Sequence, residues 1–91
     1  MENLPENWNL AEEYDGNFIF ENDNQEFSVS INQMGRLIPP YEISYQQLKG
    51  DFTRIGFDNG GYSTHAFNEA EALQKAVEMM KFINHKNLVK L

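Results

Sequence analysis

The fold is decided by the stretch EFSVSIN, residues 26–32, in which apolar and polar residues alternate without interruption. An alternation with period two places successive side chains on opposite faces of a β-strand, so it predicts a strand with one buried face. Such a strand needs neighbouring strands and a second layer that covers its apolar face. The residues on either side must therefore supply both.

A hairpin is predicted on the N-terminal side of this strand. Residues 8–14 and 18–20 also alternate, and the first of these runs is expected to place Trp8, Leu10 and Tyr14 on one face. The Asp-Gly pair between the runs suits a two-residue turn, because such turns need a positive φ that glycine adopts freely. The polar residues 21–25 then predict a second turn.

Further strands are predicted on the C-terminal side. Two consecutive prolines, Pro39 and Pro40, cannot donate to a ladder, so a strand is expected to begin after them, at residues 41–45. Residues 52–57 and 62–66 are also strand-like, and the sequence DNGG at residues 58–61 favours a reversal between them. Six short candidate strands result.

A helix is predicted at the C-terminal end of the chain. Asn68 is a suitable N-cap, and Glu71, three residues later, is placed to complete a capping box. At about 100° per residue, one apolar face is expected, and Leu88 and Leu91 extend it. Its members are Leu73, Ala76, Val77, Met80 and Ile83.

One single domain, residues 1–91, is expected, because 91 residues form one core. The predicted class is α+β, with two layers: an antiparallel meander sheet of about four to six short strands packed against one C-terminal helix. With no cysteine, the chain has no disulfide framework and no thiolate nucleophile. No apolar run is long enough for a membrane span and no export signal is visible, so we expect a cytoplasmic protein without a membrane partner.

The net charge of −7 is concentrated near the N-terminus, since residues 1–35 contain eight acids and no lysine or arginine. Acidic surfaces repel phosphate backbones and anionic lipid, so we do not expect nucleic acid as a partner. These acids either keep the protein soluble and monomeric or form a docking surface for a basic partner. The acids expected to contact such a partner are Glu12, Glu13, Asp15, Glu21 and Asp23.

Catalytic and metal-binding signatures are missing from the sequence. Neither histidine, His65 or His85, has a second ligand at a spacing that would build a metal site. No nucleophile-elbow sequence and no phosphate-binding loop is present. We therefore predict no catalytic residue, no metal and no cofactor.

Apolar residues outside the predicted core indicate contact surfaces. Phe82, with Val89 near it, lies off the apolar helix face, and a weak homodimer through the helices would cover it. Ile19, Ile55 and Phe57 are expected on the sheet face away from the helix.

Three functional hypotheses follow. The first is a non-enzymatic binding or regulatory module for protein–protein contact. The second is an acidic inhibitor or nucleic-acid mimic that docks on a basic partner. The third is a small-molecule-binding or enzymatic domain with a site shared between subunits, in which His65 is the residue to test.

Overall fold

The computed structural model describes residues 4–47 and 63–88 and contains one antiparallel sheet and one helix. The strands lie in the sheet in the order in which they occur in the chain, and α1 follows the last of them. This α+β meander with a C-terminal helix confirms the predicted fold class. The elements are β1 (Trp8–Tyr14), β2 (Asn17–Asn22), β3 (Phe27–Gln33), β4 (Tyr41–Gln47), β5 (Ser63–Ala66) and α1 (Glu69–Leu88).

Four of the six predicted strands lie wholly within the described residues, and the strand predicted at 62–66 is described from Ser63 onward. The strand predicted at 52–57 and the reversal predicted at 58–61 lie outside the described residues. β4 pairs directly with β5, from Ser44 opposite Ser63 to Tyr41 opposite Ala66. β4 begins immediately after Pro40, as the loss of the proline N–H donors predicts.

The core lies between the sheet and α1. In β3, Phe27, Val29 and Ile31 are fully buried, which confirms the alternation that predicted this strand. The cross-strand partners of these residues lie on the same face of the sheet. Val29, for example, lies opposite Phe20 on β2 and Tyr45 on β4. Each strand therefore contributes alternate side chains to one apolar layer.

The buried face of α1 is rotated from the predicted one. Ala76, Met80 and Ile83 are buried as predicted, and Leu73 is half-buried and packs against the core. Val77 is also half-buried. Ala72 and Met79 also lie inside. At about 100° per residue this is a rotation of about 50°. Alanine lacks a bulky side chain, so Ala72 and Ala76 allow the helix to lie close to the sheet.

A bulge in β1 changes the face of its second half. Leu10 lies opposite Phe20, but Glu12 and not Ala11 lies opposite Ile19, so one extra residue is inserted. An extra residue inverts the alternation that follows it. Tyr14 is therefore exposed, and the expectation that it shares a face with Trp8 and Leu10 was wrong.

The hairpin turn and the helix cap follow the predicted local chemistry. Asp15 and Gly16 have φ values of 50° and 79°, as the two-residue turn requires. The backbone N–H of Glu71 donates to Asn68 Oδ1 over 2.8 Å. The Glu71 carboxylate accepts from the N–H of Phe67 over 2.9 Å, one residue earlier than in the usual capping box. Both interactions satisfy donors at the helix start.

Candidate functional site

Three connections of the chain meet at one end of the sheet. In an antiparallel meander every second connection lies at the same end. The β1–β2 turn, the β3–β4 connection and the junction between β5 and α1 all lie here, because Gln33 lies opposite Tyr41 and Tyr41 lies opposite Ala66. The N–H of Gln33 donates to Asn17 Oδ1 over 2.8 Å, which fixes the hairpin to the end of β3.

Exposed apolar side chains are concentrated at this end. Of the six large hydrophobic side chains that are exposed in the described part of the chain, five lie on these three connections or directly beside them. We call these five residues the apolar end. They are Tyr14 (56% exposed), Met34 (38%), Leu37 (58%), Ile38 (83%) and Phe67 (64%).

An open cleft of about 340 Å³ lies beside the β3–β4 connection. Its polar side is formed by Glu42 and His65, which are cross-strand partners on β4 and β5. Two backbone carbonyls of the lining segments accept hydrogen bonds. The carbonyl of Pro40 accepts from the N–H of Met34 over 2.6 Å, and the carbonyl of His65 accepts from Lys75 Nζ over 2.5 Å. The apolar lining consists of Met34, Leu37, Ile38 and Pro39.

Charged residues of both signs lie at this end of the sheet. Asp15 lies in the β1–β2 turn, Glu42 lines the cleft, and Arg36 lies in the β3–β4 connection. Lys75 is not available to Glu42, because its ammonium lies 3.5 Å from Glu71 and bonds to the backbone of β5. Within residues 4–47 and 63–88, no ion pair involves Glu42.

The acids predicted to contact a partner are distributed over different parts of the first hairpin. Glu12 and Glu13 are exposed on opposite faces of β1, and Asp15 is exposed at the turn. Glu21 is half-buried on β2. Asp23 lies at the opposite end of the sheet and accepts a hydrogen bond from Asn9 Nδ2 over 3.0 Å. They therefore do not form one continuous acidic strip.

Of the predicted apolar contacts, the structure describes Phe82 and Ile19. Phe82 is 43% exposed and lies in the C-terminal half of α1, away from the junction between β5 and α1. Ile19 is half-buried on the sheet face away from the helix. Val89, Ile55 and Phe57 lie outside the described residues.

No metal-binding set of side chains is formed among the described residues. No set of three His, Asp or Glu side chains in that part of the chain lies close enough to hold a metal ion. The hydrogen bond from the Phe67 N–H, together with the nearby Lys75 ammonium, holds the pKa of Glu71 below its ordinary value. This shift comes from helix capping and not from a catalytic pair.

The apolar end was missed by the sequence interpretation, although a signal for it exists. Residues 37–40 read Leu-Ile-Pro-Pro, an apolar run that has no alternation and lies between two strands. Apolar residues in a connection have no sheet face to bury them, so such a run indicates exposure.

In the described part of the chain, no helix combines the length and the apolar character that a membrane crossing requires. Comparison of the chain with models of known families, with curated proteins and with solved structures found no match.

Proposed function

We propose that this chain is a non-enzymatic protein-binding module that contacts its partner through the apolar end. The observation that carries the proposal is the concentration of five exposed large hydrophobic side chains at one end of the sheet. Single exposed apolar residues are common, but several together mark contact sites. Burial of a side chain such as Ile38 in an interface would stabilise the complex by about 1.5–3 kcal/mol.

The scaffold supports this role because the contact residues lie on connections between well-packed strands. Binding residues are frequently carried by loops that a rigid sheet positions. Charged residues lie at the same end of the sheet, Asp15 and Arg36 on the connections and Glu42 in the cleft. An apolar centre with a polar rim is typical of protein–protein interfaces.

A second candidate function is small-molecule binding, which the cleft favours because it brings His65 beside Glu42. Its volume of about 340 Å³ lies at the lower end of the range for small-ligand sites. Binding of a small molecule that is lost in His65→Ala, with the fold intact, would support this candidate over the first.

Site-specific photo-crosslinking in cells tests the first candidate. A photoreactive amino acid at Ile38 is expected to yield a covalent adduct with a discrete partner protein. The same amino acid at Gln74, which is exposed on α1, is the matched control and is expected to yield none. Equal adducts from both positions, or none from position 38, would contradict the proposal.

A further inference from the structure

We infer that the cleft of the apolar end receives an arginine or lysine side chain from the partner protein, with Glu42 as the counter-ion. The inference rests on the proposed function and identifies the chemistry of the partner. It joins two properties of the cleft: an apolar lining and a carboxylate beside it.

The cleft matches the two parts of a long cationic side chain. Arginine and lysine have an apolar stem and a charged head, and they place the stem along apolar surface while the head finds a polar partner. Met34, Leu37, Ile38 and Pro39 would contact the stem. The carboxylate of Glu42 would accept hydrogen bonds from the head, and arginine has the fork geometry for a bidentate pair.

The state of Glu42 supports this assignment. The described residues provide it with no ion pair, since Lys75 is held by Glu71 and by the backbone of His65. A partner that buried this carboxylate without a counter-ion would incur its full desolvation cost. A partner that covers the apolar lining and supplies a cation beside Glu42 avoids this cost.

Charge argues against two other occupants of the apolar end. Two copies of this chain, each with a net charge of −7, would place Glu42 and Asp15 of both copies at one interface if they met through the apolar end. Like charges in contact are unfavourable. An anionic membrane surface would meet these same carboxylates, with only Arg36 to attract it on the β3–β4 connection. A basic segment of another protein is complementary to both the apolar and the acidic groups.

A peptide titration followed by NMR tests the inference without knowledge of the partner. The isotope-labelled chain is titrated with acetyl-Leu-Arg-Leu-amide and with the matched peptide in which neutral citrulline replaces arginine, each up to about 10 mM, a range that detects weak binding. The arginine peptide is expected to shift the amide signals of residues 34–38, 41, 42 and 65. We expect it to bind at least about threefold more tightly than the citrulline peptide, since a charge-assisted hydrogen bond is stronger than a neutral one.

The variant Glu42→Gln is expected to bind both peptides equally, whereas Glu78→Gln, an exposed helix site, keeps the preference for arginine. Absence of shifts, shifts outside the cleft or equal binding of the two peptides by the unmodified chain would overturn the inference. So would concentration-dependent self-association or vesicle binding through the same residues. Photo-crosslinking at Ile38 reports on the proposed function separately, because an adduct with a partner that does not respond to Glu42→Gln contradicts only the cation site.

Discussion

The indole Nε1 of Trp8 donates a hydrogen bond to Asn84 Oδ1 over 2.9 Å and so joins the first residue of β1 to the C-terminal half of α1, 76 residues later. The Asn84 amide group also donates to the carbonyl of Glu6 over 3.2 Å. One helix side chain therefore holds the start of the sheet from two sides. This bond connects the sheet layer to the helix layer at the end of the sheet opposite the apolar end.

A double-mutant cycle on this pair is expected to show coupling. Trp8→Phe and Asn84→Ala each remove one partner, and the loss of the bond should appear as a coupling of about 0.5–1.5 kcal/mol in the free energy of unfolding. Urea denaturation of the two single variants and the double variant measures it. Strictly additive effects would show that the bond contributes nothing to stability.

The helix cap is expected to contribute to stability through Asn68. Asn68→Ala leaves the N–H of Glu71 without its side-chain acceptor and should cost about 1 kcal/mol. Asn68→Ser retains an acceptor oxygen and is the matched control. Thermal and urea unfolding compare them. If both variants unfold alike, the side chain does not act as a cap.

Acid sensitivity is expected to depend in part on Glu71. Its pKa in the folded state is lowered, chiefly by the hydrogen bond from the Phe67 N–H, from an ordinary value of 4.5. A carboxylate whose folded pKa is depressed stabilises the fold above its unfolded pKa, and this contribution is lost as pH falls through the folded pKa. The difference in unfolding free energy between the chain and Glu71→Gln should therefore be greatest above pH 4.5 and decrease below it.

Urea unfolding at a series of pH values measures this difference. Glu78→Gln, at an exposed mid-helix position, is the control for loss of a helix carboxylate. A difference in unfolding free energy that does not vary with pH would mean that Glu71 has the same pKa in the folded and unfolded states.

The rotated helix face is expected to make Ala72 intolerant of a large side chain. Ala72 is fully buried against the sheet, so Ala72→Leu inserts volume into a filled layer and should destabilise the fold by about 1–3 kcal/mol. Gln74→Leu adds the same side chain at an exposed position and should change stability by less than about 0.5 kcal/mol. Unfolding midpoints in urea compare the two. Equal effects would contradict the placement of Ala72 in the core.

Much of the local structure could be predicted from the residues. The alternation in residues 26–32, the positive φ available to Asp15 and Gly16, and the acceptor oxygen of Asn68 each act over a few residues. The identity of these side chains was therefore enough to predict the strand, the turn and the helix start. The bulge after Leu10 could not be predicted, because a one-residue insertion in a ladder depends on how the partner strand is paired.

The candidate site was decided by tertiary structure. Leu37 and Phe67 are thirty residues apart in the chain, and only the pairing of β4 with β5 brings their segments to one end of the sheet. Glu42 and His65 become neighbours in the same way.

Period-two alternation, turn chemistry and a capped amphipathic segment are short-range properties, so the amino-acid sequence by itself determined that this chain forms an antiparallel meander covered by one helix. Strand register, the helix face that meets the sheet and the group of side chains at each end depend on contacts between distant residues. Only the tertiary structure decided those, and with them the position of the apolar end.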